Sequence, residues 1–375
     1  MKKMILKYKQ NFNITILTIG TFIVVLFFAL IFNIITPSKS FSKLENRVLQ
    51  QFPTWNSNDF FSGKWSSDLE TYLNDQFIFR DQFVALKSAT EQALGKTENN
   101  EVYISTYDTL IPKFECKDTM IIEQNINAIN QFSANENLSS IPIYTTLIPT
   151  QSDTYDYKLP LYAPNTSQKE MINTIGNKLP NFISIYDTLY EHNQEYIYYN
   201  TDHHWTSLGA FYAYTEILPF ICKDNPRKLN TYSPTAISNN FTGSLYAKSG
   251  VRNVTPDTIH LYTENLPTIE PSGLLYDVSA MNISDQYNVF QGGNHPLVSI
   301  KGNGTTDENL LLIKDSYGNS FLPFLTPHFD NIHMIDLRYN KSSISDFIVQ
   351  HKITKVLFCY SITNFTTDNN LIFLK

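Results

Sequence analysis

An uncharged apolar run near the N-terminus, from about Ile14 to Ile35, restricts the possible folds of this chain more than any other feature. At roughly 20 residues it is long enough to cross a lipid bilayer as a helix. The lysines before it outnumber those after it, which favours the basic end on the cytoplasmic side (Lys2, Lys3, Lys7 and Lys9 against Lys39 and Lys43). The sequence therefore predicts a cytoplasmic basic segment (1–13) and a transmembrane anchor (14–36), in a single-pass membrane protein whose main domain lies outside the cytoplasm.

The same run could instead be a signal peptide that is removed after export. Its apolar part is long for a signal peptide, and no clear small-x-small cleavage site follows it. A buried core helix is a poor alternative at this length and position. We therefore favour an uncleaved anchor and keep the cleaved signal peptide as the alternative.

The composition predicts a folded protein and gives no sign of nucleic-acid binding. Of the 375 residues, 42% are hydrophobic and 14% are aromatic, which argues against extensive disorder. The net charge of −7 offers no basic footprint for a nucleic acid. The three cysteines, Cys116, Cys222 and Cys359, form neither a disulfide framework nor a metal-ligand pattern, although a Cys116–Cys222 bridge stays possible.

The rest of the chain divides by its hydrophobic pattern. Residues 37–100 indicate a linker and amphipathic helices, since aromatic residues and leucines recur at helical spacing. In residues 101–375 short apolar runs alternate with helical stretches, which predicts an α/β domain with a mainly parallel sheet and a loop- and β-rich insertion at about 225–305. The predicted strands are 102–105, 141–147, 182–185, 310–313, 332–335 and 356–360, and the predicted helices are 119–133, 168–178, 207–219 and 342–350.

A serine follows the most clearly buried of these strands. Leu310–Ile313 is a continuous apolar run, as expected of a strand covered on both faces, and Asp315 and Ser316 come just after it. A turn then leads into a helix predicted at 320–325. Ligands of open α/β sheets bind beyond the carboxyl ends of the strands, so Ser316 is a candidate nucleophile with its own N–H as an oxyanion donor. The alternative is that Asp315 or Ser316 only caps the helix.

Asp202 and His204 are a candidate pair for activating that serine. Side chains two positions apart share a face of an extended segment, so Asp202 can hold the His204 imidazole in one tautomer. The other ring nitrogen is then free to take a proton from Ser316. His203 would point the opposite way, and we interpret it as a structural histidine.

A metal site is the weaker interpretation of Asp202–His204. Adjacent histidines seldom bind one tetrahedral ion together, and no further spaced cluster of His, Cys or Glu accompanies them. We therefore expect neither a metal nor another cofactor.

The residues around this pair resemble the bacterial DHHW protein family, whose name-giving motif matches Asp202-His203-His204-Trp205. Three further segments agree: Glu45-Asn46-Arg47 followed by Phe52-Pro53, the block from Tyr72 to Asp81, and Lys314-Asp315-Ser316 after a strand. The family in turn resembles the alginate O-acetyltransferase proteins, which have an SGNH-hydrolase-like fold with the Asp-x-His pair before the serine. The resemblance covers most of the chain beyond the anchor, and it implies a three-layer α/β/α domain.

The resemblance also implies an activity. Carried over to this chain, it makes Ser316 the nucleophile, His204 the base and Asp202 its partner. It implies transfer of O-acetyl groups to a cell-surface polysaccharide, or their removal from one. In related systems a polytopic membrane O-acyltransferase supplies the acetyl group from the inner side, so such a protein is an expected partner. The alternative is a catalytically silent member that binds glycan or scaffolds an envelope complex.

Two further segments bear on the candidate site: the residues just before Ser316 and a glycine-containing loop. The chain has Lys314 and Asp315 where many relatives have smaller residues, and a carboxylate beside the nucleophile would disfavour an oxyanion unless it points away. The segment Asn240–Tyr246 is a candidate pocket loop, in which Gly243 would permit close backbone approach.

Overall fold

The computed structural model describes residues 2–42, 44–45, 47–116, 118–264, 275–304 and 307–374, without the side chains of residues 2–13 and 264. Parts of the predicted insertion (265–274 and 305–306) lie outside the described residues, as do Lys43 and Asn46. The chain divides into two compact units, Met1–Glu91 and Gln92–Lys375. The finer division into four segments stays a prediction.

The described residues of the first unit form one long helix and three shorter ones, the last of which ends two residues beyond the unit. Helix α1 (Lys2–Ile35) includes Ile14–Ile35, a stretch of 22 residues with a mean hydropathy of 2.8, which is long and apolar enough to cross a membrane. The elements that follow are β1 (Phe41–Ser42), β2 (Arg47–Val48), α2 (Ser57–Phe61), α3 (Lys64–Asp75) and α4 (Arg80–Ala93).

Two of the segments that carry the family resemblance meet in this unit. Arg47 donates to both carboxylate oxygens of Asp75, at 2.9 and 2.5 Å, and to Glu45 at 2.7 Å. Arg80 donates to the other oxygen of Glu45 at 2.6 Å. Because a bidentate arginine–carboxylate pair is directional, these bonds fix β2 against α3 and the start of α4.

The second unit contains a five-stranded sheet, a three-stranded sheet and a two-stranded antiparallel sheet among the described residues. In chain order its elements are β3 (Glu98–Asn99), β4 (Val102–Ile104), β5 (Leu110–Pro112), α5 (Thr119–Ser133), β6 (Ile143–Ile148), α6 (Gln151–Thr154), α7 (Gln168–Gly176), α8 (Tyr186–Glu191), α9 (Ser207–Ile221), β7 (Tyr232–Phe241), α10 (Ser244–Ser249), β8 (Asp257–Glu264), β9 (Leu297–Lys301), β10 (Asn309–Lys314), α11 (Gly318–Leu325), β11 (Asn331–Ile335), α12 (Ile344–Gln350), β12 (Lys355–Ser361) and α13 (Ile362–Thr367).

The five-stranded sheet has the order β6-β12-β10-β11-β9. Its first four strands run parallel, and β9 pairs antiparallel with β11 at one edge. The prediction of an α/β fold with a mainly parallel sheet is therefore confirmed. Strand β10 is central in this order, and it ends two residues before Ser316.

Alternate residues of β10 enter two hydrophobic cores. Leu310 and Leu312 pack with residues of α9 and α11, whereas Leu311 and Ile313 pack with residues of α5, α7 and α12. None of the four is exposed to solvent. Helices thus cover both faces of the sheet in three layers, and burial on both faces anchors the turn that follows β10.

Three elements differ from their predictions. Strand β4, from the run at 102–105, joins the small antiparallel sheet with β3 and β5. The run at 182–185 forms a single bridge, between Phe182 and Thr145, because the chain enters α8 directly afterwards. Strand β9 lies within the span predicted as an insertion, yet it is an edge strand of the main sheet.

Helix α11 begins two residues before its predicted start and continues through Pro323. Proline lacks the N–H that would bond the carbonyl four residues earlier, which here belongs to Asn319. That carbonyl accepts a hydrogen bond from Gln291 Nε2 at 3.1 Å instead. The side chain of Gln291 therefore compensates for the lost helical bond.

Candidate active site

A short hairpin carries the two histidines. Tyr198 and Trp205 form an antiparallel bridge, and the Thr206 N–H donates to Ile197 O at 2.9 Å. Thr206 also caps α9. The buried indole N–H of Trp205 donates to Tyr317 O at 3.0 Å, so the hairpin is tied directly to the turn that contains the serine.

Asp202, His204 and Ser316 form a continuous chain of hydrogen bonds. Asp202 Oδ1 lies 2.6 Å from His204 Nδ1, and His204 Nε2 lies 2.7 Å from Ser316 Oγ. Asp202 Oδ1 also accepts the backbone N–H of His204 at 2.9 Å. With Nδ1 donating to the carboxylate, Nε2 is the acceptor for the serine proton. The three candidate residues thus lie together and buried, although His204 and Ser316 are 112 residues apart in the chain.

The Asp202 carboxylate is held from several sides. Its Oδ2 accepts the Ser244 N–H at 2.8 Å, and the Asp202 carbonyl accepts from Gln151 Nε2 at 2.8 Å. Burial opposes ionisation, but the neighbouring His203 and His204 and the hydrogen bonds outweigh it and hold the pKa of Asp202 well below its usual value. Asp202 is therefore a carboxylate that can orient the imidazole.

The candidate pocket loop, Asn240–Tyr246, packs against this carboxylate. A Cβ atom at Gly243 would lie 2.2 Å from Asp202 Cβ, so only glycine fits there. The Gly243 N–H donates to Thr201 Oγ1 at 3.0 Å, and the Thr201 N–H donates to the buried carboxylate of Asp257 at 2.7 Å. The loop thus fixes both Asp202 and the residue before it.

The Asp315 carboxylate points away from Ser316. Its Oδ2 accepts from the Ser361 N–H at 2.8 Å, from Ser361 Oγ at 2.7 Å and from Asn364 Nδ2 at 2.8 Å. Its Oδ1 accepts the Tyr317 N–H at 3.0 Å. These bonds join the end of β10 to the end of β12 and direct the negative charge away from the serine hydroxyl.

Lys314, the other unusual residue, is 2% exposed and also has partners. Its Nζ donates to Asn319 Oδ1 at 2.5 Å and lies 3.8 Å from Asp336 Oδ2. Burial lowers the pKa of Lys314 to about 8, although Asp336 opposes the shift. Both residues before Ser316 therefore support the turn.

Tyr287 covers the His204 imidazole, a contact that the sequence did not reveal. The two rings are stacked with centroids 3.9 Å apart and an interplanar angle of 6°. The Tyr287 hydroxyl donates to Ser316 O at 3.2 Å. This tyrosine lies in a single 3-10 turn (Gln286–Val289) within the predicted insertion, where the apolar residues alternate only over a short range. Gln151 was also missed, although a polar residue just after a predicted strand is a usable signal.

His203 does not enter the core. Its side chain is 39% exposed, its Nδ1 lies 2.6 Å from Ser244 Oγ, and its ring centroid is 3.9 Å from that of His204. Residues 201–204 bend at the tip of the hairpin, so the strict alternation of an extended strand does not apply there. A structural role for His203 stays a prediction.

Two groups of described side chains have donor atoms close enough to hold a metal ion, Asp202–His204 and the set of Cys222, Asp224 and His328. In the first group, Asp202 and His204 already bond to each other at 2.6 Å. The absence of a metal requirement stays a prediction. All three cysteines are free thiols, so the possible Cys116–Cys222 bridge is not formed.

The three-layer α/β/α fold is SGNH-hydrolase-like. The chain belongs to the DHHW protein family, whose sequence model matches residues 121–335. That range contains all three candidate residues, and the resemblance suggested by the sequence is confirmed. The chain matches no curated protein.

The solved structures of two proteins show the same fold. A DHHW family protein from Eubacterium siraeum is similar over 74% of this chain and 95% of that chain, with 26% identity and a TM-score of 0.61. Bacillus cereus PatB1, solved with a sulfonyl adduct, is similar over 73% of this chain and 98% of that chain, with 22% identity and a TM-score of 0.61. The O-acetyltransferase domain of Pseudomonas putida AlgJ is less similar: 72% of this chain and 93% of that chain are covered, with 11% identity and a TM-score of 0.47.

Proposed function

We propose that this protein is a membrane-anchored, extracytoplasmic O-acetyltransferase or acetylesterase that acts on a cell-surface polysaccharide through Ser316, His204 and Asp202. The observation that carries the proposal is the unbroken hydrogen-bond chain from Asp202 through His204 to Ser316 Oγ. An oriented imidazole within hydrogen-bond reach is what converts a serine hydroxyl into a nucleophile for acyl transfer. Membership of the DHHW family and the SGNH-like fold agree with this chemistry.

In the first half of the reaction, Ser316 Oγ attacks the carbonyl carbon of an acetyl ester or thioester. The hydroxyl proton passes to His204 Nε2, and the Asp202 carboxylate stabilises the imidazolium. His204 then gives this proton to the departing oxygen or sulfur atom, which leaves acetyl-Ser316. The Ser316 N–H has no acceptor among the described residues, so it can donate to the oxyanion.

In the second half, a sugar hydroxyl or a water molecule attacks the acetyl carbon. Its proton goes to His204 Nε2, the bond between the acetyl carbon and Ser316 Oγ breaks, and Oγ takes the proton from His204. Transfer prevails over hydrolysis when the sugar, rather than water, occupies the space beside the acetyl group.

The first unit supports the anchoring part of the proposal. Asn33 lies near the end of α1 and accepts the Ile78 N–H at 2.9 Å, which holds the exposed Phe77 and Phe79 beside this end of the helix. Aromatic side chains are enriched where a membrane helix meets water. We infer that residues 14–36 stay attached as an anchor and that a polytopic membrane O-acyltransferase supplies the acetyl group. Intact-mass measurement of protein extracted from membranes tests the anchor, since a chain starting after residue 36 would indicate a cleaved signal peptide.

Acetyl release from p-nitrophenyl acetate tests the proposed chemistry, with the full chain in detergent. Ser316→Ala should abolish release, whereas Ser139→Ala, at an exposed serine in another part of the unit, should not change it. A sulfonyl fluoride should label Ser316 in the unaltered protein, because such reagents trap activated hydroxyl groups. Full activity in Ser316→Ala, together with no adduct on Ser316, would instead favour a catalytically silent glycan-binding protein of the same fold.

A further inference from the structure

A cavity of about 620 Å³ is lined by residues that neighbour the candidate triad in the chain. Its wall includes Tyr317, which follows Ser316, and His203, which precedes His204. The cavity is therefore the candidate compartment for a second substrate.

The charged side chains of this wall are already engaged. Lys248 Nζ lies 3.0 Å from Glu101, and Lys113 Nζ lies 2.8 Å from Glu115. A third carboxylate, Asp118, caps the start of α5. Both lysines of the described wall are paired with acids, and the wall also has three carboxylates. A polyanionic ligand would therefore be repelled by groups of its own charge.

His203 offers a polar group to the same cavity. Its Nδ1 is bonded to Ser244 Oγ, while its Nε2 has no partner among the described residues. Partial desolvation of the ring where it packs on His204 lowers the pKa of His203, so the ring is neutral at pH 7. A neutral imidazole held at Nδ1 can donate or accept at Nε2, which suits a hydroxyl group because a hydroxyl is also both donor and acceptor.

We propose that this cavity is the acceptor subsite, that it takes an uncharged, hydroxyl-bearing sugar rather than a polyuronate, and that His203 positions the attacking hydroxyl. The inference rests on the proposed acyl transfer by Ser316 and adds the class of acceptor. His203 Nε2 holds the acceptor hydroxyl, or its neighbour on the ring, while the proton of the attacking hydroxyl goes to His204 Nε2. The acetyl carbon then leaves Ser316 Oγ for the sugar oxygen, and Oγ recovers its proton from His204.

A pair of acceptors of equal length tests the charge preference. With p-nitrophenyl acetate as donor and the full chain in detergent, cellotetraose should be acetylated about tenfold more than tetragalacturonate, because like charges at the wall oppose the uronate. Glu101→Lys should narrow this gap by replacing an acid of the wall with a third lysine. Glu136→Lys makes the same charge change at an exposed site outside the cavity and should leave the gap unchanged.

The ratio of acetyl transfer to hydrolysis tests the role of His203. His203→Ala should lower the ratio for cellotetraose about tenfold, because one hydrogen bond that orients the acceptor is lost. His203→Gln retains a polar group at this position and should recover part of the ratio. His192→Gln, at a histidine that lies outside the cavity wall, should leave it unchanged.

The outcomes separate this inference from the proposed function. Three results would overturn the subsite and leave the serine chemistry in place, provided that acetyl release is observed. They are equal transfer to both acceptors, transfer to neither acceptor, and an unchanged ratio of transfer to hydrolysis in His203→Ala. Absence of acetyl release and of Ser316 labelling would overturn the proposed function, and the subsite with it.

Discussion

The phenol ring of Tyr287 lies flat on the imidazole of His204, with centroids 3.9 Å apart. Asp202 and Ser316 hold the two nitrogen atoms of the imidazole, so Tyr287 fixes the remaining freedom of the ring, which is rotation out of its plane. The aromatic face also stabilises the positive charge that forms on the imidazole when it takes the serine proton. A residue from outside both sequence motifs thus controls the orientation of the proposed base.

Substitution of Tyr287 should separate these effects. Tyr287→Leu removes the stacked ring and should lower kcat for p-nitrophenyl acetate about fivefold, since a cation–aromatic contact contributes about 1 kcal/mol. Tyr287→Phe keeps the ring, loses the bond to Ser316 O and should retain most of the activity. Equal kcat values for the two variants would show that stacking does not matter.

Replacing the Asp202 carboxylate should remove most of the activity while preserving the fold. Asp202→Asn retains the shape of the side chain but loses the charge that selects the His204 tautomer, so kcat should fall by roughly 10³–10⁴. Asp187→Asn, at an exposed ion pair with Lys169, serves as the matched control. Steady-state kinetics measure the effect, and a loss under tenfold would argue against the triad.

A methyl group at Gly243 should disturb the site through Asp202. Its Cβ would lie 2.2 Å from Asp202 Cβ, so the loop or the carboxylate must move, and kcat should fall at least about tenfold because small displacements of catalytic groups are costly. Ser244→Ala, one residue later, keeps the N–H that Asp202 accepts and should cost less. An unchanged kcat in Gly243→Ala would contradict the close packing of this loop against Asp202.

Acid should destabilise the second unit through His333. Burial and the nearby His351 lower the pKa of His333 from 6.5 to about 4. Between these values the unfolded chain binds a proton that the folded chain does not, so stability falls as the pH is lowered through this window, by up to about 3 kcal/mol. Urea unfolding at pH 7 and pH 4.5 should show that the free energy of unfolding falls less in His333→Gln than in the unaltered protein. An equal fall in both proteins would contradict the role of His333.

The strongest parts of the fold and site were predictable because their signals are local. A continuous apolar run followed by Asp315 and Ser316 marks a buried strand and the turn at its end, and Asp202 and His204 have the spacing of a hydrogen-bonded pair. Whether two distant segments contact each other depends on tertiary packing, which no local pattern encodes. In the structure His204 Nε2 lies 2.7 Å from Ser316 Oγ.

Other features depend on contacts that no short pattern encodes. Tyr287 lies in a span whose apolar residues alternate only over a short range, and its packing on His204 makes it important. Strand β9 was assigned to the β-rich insertion because its residues alternate over a short range, and its pairing with β11 places it in the main sheet. For His203 the alternation rule was misleading, since the hairpin bends where the rule assumes extended backbone.

The pairing of β6 with β12 determines when the turn that contains Ser316 is completed during folding. These neighbours in the sheet are separated by about 200 residues of chain, and such long-range pairing makes folding slow. The carboxylate of Asp315 also depends on Ser361 at the end of β12, so the serine turn is incomplete until this last strand arrives. If the chain crosses the membrane unfolded, as the proposed anchor implies, the Ser316 turn is completed only after most of the second unit has been exported. Under the proposed function, cytoplasmic esters and thioesters would then not meet an activated Ser316.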